Sequence, residues 1–317
     1  MSMTMSPEAT NPYTLVTLFT MGAIVCFTSW GVADTPTSGC AVTLPLRYPN
    51  FTPNNVLQYM PGLDGLQEES IFEILGKPEV TAVVDSLGQR NQLRTAPQYL
   101  VYPVSWRSVD TQYFSSRPCV TDFGEAFKCA KPPKELGIPV PYRSPELLLE
   151  KNQPGIAGLG TDLWALGCTL FEIRTGRKLF SLFDDDEDAY LDAMVEILGV
   201  MSEPWWSTTW EGRRKVYEDE PGEDGRAVYV RQDGEEQCEE AAKSFHHPSV
   251  AQGARSIKEK LAAGVWYMSD DEPKDRHREM SEVELALFAD LLGRLLRWKP
   301  EERESAEELP SHEWFQM

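Results

Sequence analysis

Hydrophobic positions in the second half of this chain follow helical spacing. Thr161 to Thr175 (TDLWALGCTLFEIRT) is apolar on nearly every face yet too short to cross a bilayer, which predicts a buried core helix stopped by Gly176. Leu285, Phe288, Leu292 and Leu295 fall on one stripe of a longer helix, opened by the capping box of Ser281 and Glu284. A second capping box, Ser305 with Glu308, predicts a short terminal helix ending near Trp314. Earlier, Ser70–Leu75 followed by Gly76 and Pro78 reads as a short helix with a glycine stop. Val80 to Val84 and Tyr99 to Val104 read as short strands. The pattern predicts a mainly α protein.

The first 49 residues differ from the rest. They carry only Glu8, Asp34 and Arg47 as charges, and no lysine occurs before Lys77. Leu15 to Trp30 (LVTLFTMGAIVCFTSW) is an uncharged, mainly apolar run, a little short for a membrane span and without a basic flank to orient it. Gly31-Val32-Ala33 resembles a signal-peptide cleavage site, but the charged segment that should precede it is missing. A packed helix, or a leader outside the domain, is the plainer reading. The division that follows is a leader at 1–49, with the apolar segment at 15–30, and a domain at 50–317.

Composition narrows the function. With 41% apolar and 25% charged residues, the domain is of the soluble globular kind. A formal charge of −20 argues against nucleic acid, which rewards cations that neutralise phosphates, and favours basic partners or simple solubility. Acids concentrate at Asp184–Asp188 and from Glu211 to Lys243; the first run is a solvated loop or a docking groove for basic protein. Cys26, Cys40, Cys119, Cys129, Cys168 and Cys238 are scattered without a C-x-x-C pair, which fits reduced, mostly buried thiols. His246-His247 has no matching ligand cluster and reads as a surface turn.

Four short motifs then occur in order. Val120-Thr121-Asp122-Phe123-Gly124 is an apolar residue leading into D-F-G. Tyr142-Arg143-Ser144-Pro145-Glu146 follows, with Glu146 standing 24 residues after Asp122. Asp162-Leu163-Trp164-Ala165-Leu166-Gly167-Cys168 opens the core helix, and Arg303 lies in Lys299-Pro300-Glu301-Glu302-Arg303 near the end. Upstream, Phe51-Thr52-Pro53-Asn54-Asn55-Val56-Leu57 is similar to the end of a kinase catalytic loop. Together these motifs resemble the C-terminal lobe of a eukaryotic-type serine/threonine protein kinase, over roughly residues 50 to 317.

The resemblance implies a helical kinase lobe, ATP and magnesium as cofactors, and protein substrates. Asp122 takes the place of the metal-binding aspartate, with Phe123 and Gly124 completing its motif, and Asn55 that of the asparagine holding a second magnesium. Asn54, its neighbour, is equally suited to a turn. Asn50 stands where the family has its catalytic aspartate, with Tyr48 and Pro49 in place of the preceding His and Arg. Glu146 and Arg303 match a structural ion pair, Arg143 lies in the same element as Glu146, and Asp162 matches the acid that accepts from the catalytic-loop backbone. The Tyr142–Leu149 and Ile197–Trp206 segments are similar to the branch holding cyclin-dependent and SR-protein kinases. The long connection from Asn55 to Asp122 points to the SR-protein group, fungal members included, and insertions are expected at about 58–119 and 203–280.

No Gly-rich loop or strand lysine precedes position 50, so the N-terminal lobe is expected to be absent and ATP to bind weakly. Two readings stand side by side. One is a serine/threonine kinase, truncated as written through a missing first part of its gene and impaired by Asn50. The other is a non-catalytic pseudokinase or scaffold that binds basic, Arg/Ser-rich proteins. Either belongs in the cytoplasm or nucleus, unless residues 15–30 attach the chain to a membrane.

Overall fold

In the computed structural model, the apolar run at Thr161–Thr175 is the inside of the molecule. Residues 46–317 are described, apart from 49, 91–94, 105–108, 116–117, 129–130, 132, 134–135, 152–156, 181–185, 231–255 and 268–275. The apolar segment 15–30, His246-His247 and Cys26, Cys40, Cys129 and Cys238 therefore lie outside the described residues. The elements in chain order are β1 (Leu46–Arg47), β2 (Val56–Gln58), α1 (Glu68–Leu75), β3 (Val80–Ala82), β4 (Tyr99–Val101), β5 (Pro118–Val120) and β6 (Phe127–Lys128). They continue with α2 (Pro145–Leu149), α3 (Leu159–Thr175), α4 (Glu187–Leu198), α5 (Ile257–Ala262), β7 (Val265–Tyr267), β8 (Arg276–Arg278) and α6 (Glu282–Leu295). Among the described residues the strands form two-stranded ribbons, β1 with β6, β2 with β5, β3 with β4 and β7 with β8. Helices and single 3-10 turns make up most of the remaining regular structure.

Contacts divide the chain into two units, one of them holding Gln58–Pro118. Within it α1 ends at Gly76, whose φ of +78° only glycine adopts without cost. The β3–β4 ribbon pairs Val80 with Val101 and Ala82 with Tyr99, and its side chains are exposed on both faces.

The other unit holds Leu46–Leu57 and Cys119–Met317. At its centre α3 is buried on every side from Thr161 to Phe171. Packed on it are α6, the turns at Val140–Tyr142 and Pro300–Glu302, and β7. Gly160 allows the Pro300 turn to approach, because a Cβ there would lie 2.5 Å from Pro300 Cβ. Helix α6 presents Phe288, Leu291, Leu292 and Leu295 fully buried, with Leu285 half-buried at the margin of the stripe. Phe288 stacks on Trp314 with ring centroids 4.5 Å apart. Cys168 is buried, but Cys119 on β5 is exposed, against the expectation of buried thiols.

Three expectations need correction. Ser305 does cap Glu308 N–H (3.3 Å), but the chain then makes 3-10 turns at Leu309–Ser311 and Glu313–Gln316 in place of a helix. Pro310 explains this, having no N–H to continue a helical ladder. Ser281 Oγ accepts from Glu284 N–H at 3.2 Å, yet the Glu284 carboxylate pairs with Arg174 of α3 at 2.6 Å where a full capping box would turn it back to Ser281. Finally, the region after Ser144 is not wholly helical: β7 and β8 pair Val265 with Arg278 and Tyr267 with Arg276. No helix of the described residues is long and apolar enough to cross a membrane.

Candidate functional site

The site grows from the segment around Tyr48–Val56, which the core helix holds by its backbone. Tyr48 and Phe51 are buried and anchor its apolar side. Tyr48 N–H donates to Asp162 Oδ2 at 3.3 Å, and Thr169 Oγ1 donates to the Phe51 carbonyl at 2.8 Å. Asp162 sits in the first turn of α3, where the helix dipole favours a negative charge. Further along, Asn55 Nδ2 donates to the Asn50 carbonyl at 2.9 Å and closes the loop on itself. The same loop then grips the segment before Asp122, because Thr121 N–H donates to the Asn55 carbonyl at 2.8 Å. The structure thus brings Asn50, Asn55, Asp162 and the residue preceding Asp122 into one hydrogen-bonded assembly.

Asp122 itself has left-handed backbone angles (φ +63°, ψ +58°), the only non-glycine positive φ among the described residues. Asp and Asn tolerate this region better than other side chains, and such conformations gather at functional sites. Asp122 and Gly124 are exposed. Phe123 is 40% exposed and lays its ring 5.1 Å from that of Tyr48, centroid to centroid.

Asp122 and Asn55 fit a magnesium ion. Both offer hard oxygen ligands, and neither the Asp122 carboxylate nor Asn55 Oδ1 accepts a hydrogen bond among the described residues. Magnesium is commonly held by one or two such groups, with waters and phosphate oxygens completing its shell. No group of three or more His, Cys, Asp or Glu among the described residues could hold a metal without such help.

Asn50 is half-buried, and its side chain makes no hydrogen bond among the described residues. Its amide oxygen is a much weaker proton acceptor than a carboxylate. Glu146 and Arg303 lie outside this group, in the frame beneath it. Arg303 donates Nη1 to Glu146 Oε1 at 2.8 Å and Nη2 to Glu146 Oε2 at 2.7 Å, across 157 residues of sequence. Arg143 is also peripheral, donating Nε to the Ile138 carbonyl at 2.7 Å and pairing with Glu187.

The acidic run at 184–188 is described only from Asp186. Asp186 caps α4 by accepting from Asp188 N–H at 3.0 Å, Glu187 pairs with Arg143 and Lys151, and Asp188 accepts from the Trp210 indole at 2.8 Å. Asp186, Glu187 and Asp188 therefore each have a structural partner. Glu187 and Asp188 line an open cleft of about 530 Å3 with Glu150, Lys151 and Glu211.

Sequence reasoning passed over Tyr48 as a mere departure from the motif. Its hydroxyl donates to the Thr121 carbonyl at 2.5 Å, and burial above all pushes its pKa up to about 12. The sequence carried one usable signal, an aromatic residue two positions before Asn50. The Arg174–Glu284 pair was also missed, although an arginine inside an otherwise apolar helix demands a buried partner.

A model of the protein kinase domain matches residues 115–315. The chain is 30% identical over 178 residues to the serine/threonine-protein kinase AFC3 of Arabidopsis thaliana, covering 55% of this chain and 35% of that protein. It is 28% identical over 203 residues to cyclin-dependent kinase G-1 of Oryza sativa subsp. indica, covering 62% and 22%. With the dual specificity tyrosine-phosphorylation-regulated kinase mbk-2 of Caenorhabditis briggsae it shares 26% identity over 174 residues, covering 55% and 18%. The chain therefore spans about a third or less of the length of each of these relatives. The matched model covers well over half of the 317 residues, and the chain belongs to the protein kinase family.

Proposed function

We propose that residues 50–317 are the metal- and substrate-facing lobe of a serine/threonine protein kinase, and that the 317-residue chain alone is catalytically impaired. The observation that carries this reading is the hydrogen-bonded assembly joining the Tyr48–Val56 segment, Asp162 and the approach to Asp122. Asp122 and Asn55 would hold magnesium, which when bound neutralises charge on the phosphates of ATP during transfer. Asp162 and Thr169 fix the backbone on which Asn50 and Asn55 stand. At position 50 an amide leaves the acceptor hydroxyl without a strong base. Residues 50–317 contain no Gly-rich loop to grip the triphosphate, so transfer needs that grip from elsewhere. Serine or threonine is the acceptor suggested by the likeness to AFC3, and the long Asn55–Asp122 connection suggests the SR-protein group. Cytoplasm or nucleus is the compartment that fits this reading.

The test is transfer of radiolabelled phosphate from ATP by the purified chain, beside Asp122→Ala as control. No turnover above the control is the expected result. Turnover that depends on Asp122 would refute the impairment and leave the family role standing.

The cleft beside α4 favours a second reading, a docking module for basic, Arg/Ser-rich protein. Glu150, Glu187, Asp188 and Glu211 outnumber Lys151 there, so cationic peptides should be attracted, and less so as salt shortens the Debye length. An Arg/Ser-repeat peptide should bind at low salt and lose affinity in Glu211→Gln. Binding that ignores both salt and this change counts against docking in the cleft.

A further inference from the structure

We propose that the β3–β4 ribbon is a self-association edge: a second copy of this chain adds its own β4 antiparallel to β4 of the first. The inference is independent of the function proposed above. Val80, Val84, Tyr99, Leu100, Val101 and Tyr102 of the ribbon are each more than half exposed. A two-stranded ribbon is marginal in water by itself, and three or more strands are the usual stable unit. Joining two copies gives one sheet in the order β3-β4-β4-β3, which passes that threshold.

The ladder inside the ribbon fixes which groups are available. β3 and β4 pair Val80 with Val101, Thr81 with Leu100 and Ala82 with Tyr99. At its two ends Val83 N–H donates to the Gln98 carbonyl at 3.1 Å and Tyr102 N–H to the Glu79 carbonyl at 2.9 Å. Bonded and non-bonded pairs alternate in an antiparallel ladder. Gln98, Leu100 and Tyr102 therefore turn their main-chain groups toward β3, and Tyr99 and Val101 turn theirs outward. Among the described residues nothing pairs with these outward groups. The next outward positions are Pro97 and Pro103, which have no N–H, so the free edge ends on both sides. A two-fold axis at Leu100 sets Tyr99 opposite Val101 of the second copy, and Val101 opposite its Tyr99. Each such pair exchanges both main-chain bonds, sets an aromatic ring beside a β-branched side chain, and leaves Leu100 facing its own copy across the axis.

Charge favours a second copy as the occupant. The chain carries −20, so two copies can meet only where acids are sparse. Residues 95–104 contain no charged side chain, and the pairing therefore opposes no like charges. By contrast β3 is bracketed by Glu79 and Asp85, and charged flanks of this kind protect an edge. The six apolar residues together expose roughly 650 Å2, close to the 800 Å2 or so that one partner gives to a standard interface.

The test is analytical ultracentrifugation of the full chain in raised salt, which screens repulsion between copies, with amide hydrogen exchange beside it. The mass should move from 35.8 kDa toward twice that value as concentration rises. Over the same range the amides of Tyr99 and Val101 should exchange more slowly. Leu100→Glu sets two carboxylates against each other at the axis, and Val101→Pro removes an outward donor while sparing the bonds to β3. Each should raise the dissociation constant of the dimer on the order of tenfold or more. Val283→Glu, at an exposed position on α6, should leave it unchanged. A chain that stays at 35.8 kDa overturns the proposal. Fast exchange at Tyr99 and Val101 then marks a bare edge, and slow exchange marks an edge occupied by another segment of the same chain. Dimers that ignore both Leu100→Glu and Val101→Pro also overturn it, because they form through another surface. If either variant unfolds, the concentration dependence of exchange in the native chain decides alone.

Discussion

Replacing Glu146 with alanine should cost the protein about 3–5 kcal/mol, because it strands a fully buried charge. Arg303 and Glu146 expose 0% and 1% of their side chains. The guanidinium makes five hydrogen bonds. Two go to Glu146, and the others go to the carbonyls of Arg297 (2.9 Å), Gly160 (2.6 Å) and Trp298 (3.1 Å). Its carbon also lies 5.1 Å from the Trp164 ring centroid. In Glu146→Ala the three carbonyls and the indole remain, so some compensation survives, but no negative charge does. Against a total stability of roughly 5–15 kcal/mol, a loss of this size lowers the melting temperature by on the order of 10 °C. Urea unfolding followed by tryptophan fluorescence measures it. The double variant Glu146→Leu with Arg303→Met should be much less damaging than either single change, since removing both charges leaves neither stranded. A single variant within about 1 kcal/mol of the native protein would refute the reasoning.

Other sites give sharper or weaker versions of the same test. Arg174→Met should cost about 3–5 kcal/mol in urea unfolding by isolating buried Glu284, whereas Ser281→Ala, which removes only a cap, should cost about 1 kcal/mol. Gly176→Ala should lose about 1–2 kcal/mol in the same assay, because Gly176 ends α3 at φ +73°. Asp290 is held below the usual carboxylate range, first by its hydrogen bond to His312 and then by Arg294. A carboxyl depressed in the folded state adds stability that is present above its unfolded pKa and is lost as pH falls through the lower folded one. Asp290→Asn should therefore lower the urea midpoint at pH 7 and leave it nearly unchanged near pH 2.

How much of this was legible in the sequence depended on the range of the interaction. Helix α3 could be read because an unbroken apolar run and a closing glycine are both local. The α6 stripe could be read because its period is. The Asp122 motif was legible as a tripeptide, and only its order relative to Glu146, Asp162 and Arg303 gave it weight. What could not be read was pairing between distant groups. Nothing near Arg174 names Glu284, 110 residues away, and nothing near Tyr48 names Thr121, 73 residues away. The terminal helix failed for the opposite reason: the Ser305 cap was real, but Pro310, five positions on, ends the ladder it would have started. The acidic run did not reveal the partners of its described members, which are Arg143, Lys151, Trp210 and the N-terminus of α4.

These pairings also show that the loop's backbone does not depend on the side chain at position 50. The bonds that hold the loop use main-chain groups: the N–H of Tyr48, the carbonyls of Phe51 and Asn50, and both main-chain groups of Thr121. The ion pairs beneath it, Glu146–Arg303 and Arg174–Glu284, are buried away from the loop's side chains. None of these contacts consults the side chain at 50, which reaches no hydrogen-bond partner among the described residues. Exchanging a carboxylate for an amide there removes proton-accepting power while every bond of the frame stays in place. The bonds that fold the loop are thus independent of the side chain at position 50. Under the function proposed above, the lobe would keep these bonds with an amide at position 50 in place of the carboxylate that activates the acceptor.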